Sequence, residues 1–312
     1  MLRSGIVIIL FLLSLQALAQ PQRSIDSFRI RKEFKITIDR PVPFDPGKPA
    51  IVVFFALPNG NSTEQTMGKK MQPGDDWHFD IQHIAAQTLF IREQIKPKQL
   101  VVVYLENVFK SWPSWKQQHP EYREILPKLV DSLALLAGGK KHKIYLNGHS
   151  GGGSFIFGYL AGLKKIPRRV ERISFIDSNY GYDSSYYPLL QHWLQSNRKA
   201  TLTVFAYNDS VALYNNKPVV SATGGTWYRS WLMLQHLSRH WSMDYRWGDS
   251  IHRVYSKRKN IQFCFKPNLN RGIYHTQQVE YNGFIHSILA GTRHEEQQYQ
   301  YYGKRAYDAY IR

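Results

Sequence analysis

Seven segments of the chain have strand character: 28–38, 50–57, 100–105, 143–146, 172–176, 201–207 and 261–265. Most are short, rich in Val, Ile and Phe, and apolar continuously rather than at alternate positions. A strand with no polar face has to be covered on both sides, which calls for a parallel sheet between two helical layers. The helix-type segments that would supply those layers lie between the strands, at 81–94, 127–136, 154–164, 227–237 and 284–290, with Pro127 suited to a first helical turn. Strand and helix alternate throughout, with neither a repeat nor a low-complexity linker. The expected fold class is therefore α/β: a doubly wound, mostly parallel sheet with helices on both faces, built from right-handed βαβ units. With 312 residues, 43% of them hydrophobic, the chain has material for a large core, and disordered or collagen-like states are excluded.

The most specific chemistry lies where the strand 143–146 runs into Gly148-His149-Ser150-Gly151-Gly152 and a helical stretch follows at once. A serine at the tip of so sharp a strand-to-helix turn has a strained backbone, and glycines two residues to either side leave room for neighbouring main chain. Its hydroxyl is held out above the sheet. The N–H groups of the helix behind it can stabilise a developing negative charge. A dinucleotide fingerprint would need G-x-G-x-x-G in the first βαβ unit and an acid about 20 residues on, a spacing absent here.

Strand, elbow and helix together resemble the α/β-hydrolase superfamily, in particular its serine esterase and lipase branch. The resemblance implies Ser150 as nucleophile, followed along the chain by an acid and then a histidine. Two acids close strands after the elbow. Asp209 ends the second, where most of the superfamily carries its acid, and is preferred; Asp177 ends the first, where some lipases carry theirs, and is the alternative. The family's histidine lies between the last strand and the last helix, which indicates His275. Asn282 and Gly291 read as cap and stop of that helix, so His286, the alternative base, belongs inside it. The resemblance also implies an oxyanion hole from the Gly151 N–H and a second N–H after the 50–57 strand. Pro58 has none to give, which leaves Asn59 or Gly60.

Other polar and aromatic groups are weaker candidates for substrate binding. Trp77 and His78 suit a pocket rim; His78, Asp80 and His83 are possible ligands, but their offsets of two and five scatter them around a helix, so no metal site is expected. Trp112 and Trp115 lie in 107–120, a connection with two prolines that reads as a lid or binding loop. Arg229 follows Gly224-Gly225 at a helix start that could hold an anion. No cofactor is implied.

An N-terminal Arg3, an apolar run and Ala17-Leu18-Ala19 describe a cleaved secretory signal over residues 1–19, leaving 20–312 as a single domain in the periplasm or beyond. The lone Cys264 excludes a disulfide scaffold. A net charge of +18 favours weak attraction to anionic surfaces, but the basic residues are dispersed and carry no nucleic-acid motif. No later apolar run reaches the ~18 residues of a membrane span. The expected activity is hydrolysis of a carboxylic ester, on a small molecule, glycan or lipid, through an acyl-enzyme. The alternatives are amide or peptide hydrolysis, acyl transfer, and a catalytically silent glycan- or surface-binding protein.

Overall fold

In strand β3 (Ala50–Ala56), Val52 and Phe54 enter one apolar layer while Val53 and Phe55 enter another, and all four are wholly buried. Strand β4 (Gln99–Asn107) divides in the same way, Val101 and Val103 against Leu100 and Val102. With both faces apolar, these strands are stable only between two layers of helices. A computed structural model describes residues 22–312 and has this form; the expected signal segment lies outside the described residues.

The first layer holds α3 (Trp112–Gln118), α4 (Tyr122–Gly138), α5 (Gly152–Ala161), α6 (Tyr187–Ser196) and α7 (Thr226–Leu237), anchored by Trp112, Leu126, Phe155, Trp193 and Met233. The second holds α2 (Ile84–Gln94), α9 (Gly283–Leu289) and tyrosines of the C-terminal segment. Two short helices, α1 (Thr63–Met67) and α8 (Gln277–Glu280), lie in the loops after β3 and before α9. Helix α4 begins at Tyr122, so Pro127 falls inside it rather than in its first turn, contrary to expectation.

The remaining strands of the main sheet are β1 (Arg23–Ile30), β2 (Phe34–Pro41), β5 (His142–His149), β6 (Val170–Ile176), β7 (Thr201–Tyr207), β10 (Met243–Arg246), β11 (His252–Ser256) and β12 (Ile261–Lys266). A two-stranded hairpin, β8 (Leu213–Tyr214) with β9 (Lys217–Pro218), stands apart. The ten-stranded sheet has the order β1-β2-β4-β3-β5-β6-β7-β12-β11-β10, parallel from β4 to β12 and antiparallel at both edges. The doubly wound expectation is met. The single strand expected at 28–38 is instead two, because Arg31 and Lys32 both take positive φ (54° and 59°) and reverse the chain.

Strand order also locates the site. From β3 the chain moves outward to β4, then returns to place β5 on the other side of β3. At such a reversal the loops after the two adjacent strands turn away from each other and leave a crevice at the carboxyl edge, where ligands bind in open α/β sheets. Here those loops are 57–61 and the Ser150 elbow.

Candidate active site

Ser150 follows β5 directly, with φ +54°, and α5 begins two residues later. Its N–H donates to the Ile176 carbonyl of β6 (3.3 Å). The turn is so tight that a Cβ on Gly148 would stand 2.7 Å from the Gly152 carbonyl carbon, and one on Gly152 would collide with the Ala56 carbonyl of β3. The two outer glycines of the motif are therefore fixed by packing. Ser150 is half-buried, and its hydroxyl has no hydrogen-bond partner among the described residues.

His275 lies in the loop after β12, as the sequence indicates, with Nδ1 2.5 Å from Asp177 Oδ2. Asp177 is fully buried and follows β6 with a left-handed backbone (φ 43°). Its other oxygen, Oδ1, accepts the Thr226 hydroxyl. Asp209, the preferred partner from the sequence, does not reach His275. It turns instead to the first turn of α7, where Oδ2 accepts the Thr226 N–H (2.7 Å) and Oδ1 the Trp227 N–H (3.2 Å). Thr226 Oγ1 also lies 3.2 Å from Asp209 Oδ2, but its single proton goes to the closer Asp177. Burial, with the charge of Asp177 second, pushes the Asp209 carboxyl up to about 6 despite these N–H donors.

The ring of His149 stacks on His275 (centroids 4.5 Å apart, 30° between planes), and its Nε2 is 3.2 Å from the His275 carbonyl. Burial and the neighbouring imidazole hold His149 well below the ordinary histidine range, so it is neutral and donates from Nε2. It thus holds both the main chain and one ring face of His275. Sequence inspection passed over His149 and Thr226; the first is the variable residue of the elbow motif, and the second sits at the glycine-flanked start of a helix.

The N–H of Gly151 and that of Asn59 have no acceptor among the described residues, and the Asn59 side chain lies against Gly151. Gly60, the other candidate, is committed elsewhere, since its N–H donates to the Lys110 carbonyl (2.8 Å). Ser150, Gly151 and Asn59 open onto one cavity of about 440 Å³ whose walls include Phe157, Tyr180 and Lys116.

The weaker candidates lie away from this cavity. Trp112 and Trp115 are buried (1% and 0% exposed) against Phe34 and Phe155, so they are core rather than lid. Trp77 is exposed and stacks on His78, whose Nδ1 pairs with Asp76. The helix start near Arg229 does hold an anion, but an internal one, Asp209, while Arg229 itself donates to the Tyr182 carbonyl (3.0 Å). His286 is buried inside α9, 3.0 Å from the Tyr299 hydroxyl. Among the described residues no group of three or more His, Cys, Asp or Glu side chains is placed to hold a metal ion, and no helix is long and apolar enough to cross a membrane.

The strand order and the elbow after β5 define an α/β-hydrolase fold. No protein-family model matches the chain, and no curated protein matches its sequence. Solved structures similar in backbone include a feruloyl esterase module from Clostridium thermocellum complexed with sinapinate (11% identity, TM-score 0.47, 90% of this chain and 91% of that one). They also include a siderophore hydrolase from Aspergillus nidulans (11%, 0.45, 92% and 99%) and a glucuronoyl esterase from Solibacter usitatus (10%, 0.43, 87% and 82%).

Proposed function

We propose that the protein is an exported serine hydrolase of the α/β-hydrolase superfamily that cleaves a carboxylic ester through an acyl-enzyme. The observation that carries this reading is the pairing of His275 Nδ1 with the buried Asp177 carboxylate, beside a serine on a strained elbow at the topological switch point. The Asp177 carboxylate accepts a hydrogen bond from the His275 Nδ1–H, which keeps the proton on Nδ1 and leaves Nε2 free as a base. Ser150 Oγ attacks the ester carbonyl while His275 Nε2 takes its proton. The oxyanion that forms is met by the Gly151 and Asn59 N–H groups. His275 then returns the proton to the departing alcohol. Water enters, is deprotonated by the same imidazole, and releases the acid. That Ser150 and His275 are not yet hydrogen-bonded accords with catalytic contacts tightening only when substrate is bound.

A fluorophosphonate probe tests the reading directly, because it labels an activated serine and leaves an inert one untouched. Labelling is expected in the wild type and absent in Ser150→Ala. That variant should keep the wild-type melting temperature while ester turnover falls by roughly 10⁴- to 10⁶-fold. Retention of more than about a tenth of the turnover would remove Ser150 from the mechanism. The residue pattern of 1–19 supports export, and mass spectrometry of the secreted protein should find its N-terminus at Gln20.

A further inference from the structure

The cavity at Ser150 is walled by the aromatic rings of Phe157, Tyr180 and Tyr186, and Lys116 is the only charged side chain among its described lining residues. Lys116 lies on α3, one turn beyond the buried Trp112 and on the flank of the helix next to the tryptophan face. Its stem crosses α5 at Gly158, where a Cβ would come within 3.0 Å of its Cδ, and its ammonium stands 5.3 Å from the Tyr122 ring centroid. No carboxylate pairs with it among the described residues. A half-buried ammonium whose neighbour is an aromatic face has lost water without gaining an anion, and burial accordingly lowers its pKa. Such a cation is completed by an anion brought into the cavity.

We propose that Lys116 selects esters that carry an anionic group, such as a carboxylate, in the half of the molecule that fills this cavity. The inference rests on the serine-hydrolase reading above and adds the substrate class. Gly158 lies about 10 Å along α5 from Gly151 at 1.5 Å per residue, so the anion is held several bonds from the scissile carbonyl. The reaction is unchanged: the ester bond breaks, water supplies the new carboxylate oxygen, and the distal anion takes no part in bond making. The aromatic walls take up the spacer between the two ends.

Matched esters decide the matter. On the acid side, aryl hemiesters from succinate to suberate are compared with the alkanoates of equal length; on the alcohol side, carboxyphenyl pentanoate is compared with phenyl pentanoate. In the wild type at least one anionic ester should exceed its neutral partner about tenfold in kcat/KM, through a lower KM. That ratio should fall to about one in Lys116→Gln, invert in Lys116→Glu, and survive in part in Lys116→Arg, with circular dichroism confirming that each variant is folded. An anionic advantage absent from the wild type, or undiminished in Lys116→Gln, overturns the proposal while fluorophosphonate labelling leaves the hydrolase reading standing. An unlabelled Ser150 overturns both.

Discussion

Two aspartates end adjacent strands, and the difference between them comes down to where each carboxylate points. Asp177 has one oxygen on His275 and the other on Thr226, whereas Asp209 is spent on the N–H groups of Thr226 and Trp227. Asp177→Asn should therefore leave the fold intact but hold the imidazole in the wrong tautomer, lowering kcat by about 10⁴-fold. Asp209→Asn should keep turnover within about tenfold of wild type. The reverse ranking in steady-state kinetics would return the acid to Asp209. Asp209 should be visible instead in the pH dependence of stability. Its folded-state pKa of about 6 is above that of an unfolded aspartate, roughly 3.9. The contribution of this proton is thus fully present below pH 3.9 and is lost as pH rises through about 6. Replacing Asp209 by Asn removes this slope, so between pH 4 and 7 the variant should gain on the wild type by about 2–3 kcal/mol in urea unfolding. A pH-independent difference would contradict a raised carboxyl at this position.

Helix α3 illustrates at the scale of an element what sequence reading reached and what it lost. Two tryptophans three residues apart lie on one helical face, and with Phe34 and Phe155 they form core. Pro113 and Lys116, also three apart, face the cavity. The same heptapeptide thus carries packing and site residues in two phases, and judging the segment a loop hid both. Trp115→Ala should cost about 3–5 kcal/mol of stability, as core deletions of this size do, with little change in the KM of esters that the folded fraction hydrolyses. A large rise in KM without destabilisation would return Trp115 to the binding surface. The parallel strands, the elbow and the His275 loop were legible because apolar runs, glycine spacing and chain order are local signals. The Asp177–His275 pair was not, since it joins residues 98 positions apart and depends on side-chain direction at two strand ends. Nor was the reversal at Arg31-Lys32, where neither residue is a usual carrier of left-handed backbone.

Across the whole molecule, the loop that carries His275 is held in place by residues from the far end of the chain. The Tyr301 hydroxyl donates to Gln278 Oε1 (2.7 Å), Tyr302 to Gln277 Oε1 (2.6 Å) and Tyr307 to the Glu280 carbonyl (2.8 Å). The Asn282 side chain donates to the carbonyls of Gln300 and Lys304 and accepts the Ala306 N–H. Arg305 ties the same segment to Glu280 and to Asp80. Gln278 in turn donates its N–H to the His275 carbonyl (3.3 Å), and the tail contacts begin at Gln277, two residues from His275. Apart from the exposed Arg305–Asp80 pair, these bonds are buried or half-buried, and each buried partner left unsatisfied costs about 1–3 kcal/mol. The doubly mutated Tyr301→Phe, Tyr302→Phe protein should therefore lose several degrees of melting temperature and several-fold in kcat, with KM nearly unchanged, because the imidazole is less often in register with Ser150. Removal of residues 296–312 should lower kcat by at least a hundredfold even at a temperature where circular dichroism reports folded protein. If the truncated protein stays folded and its kcat remains within twofold of wild type, then β12 and α9 alone hold His275, and the tyrosines of the tail serve only the packing of α2.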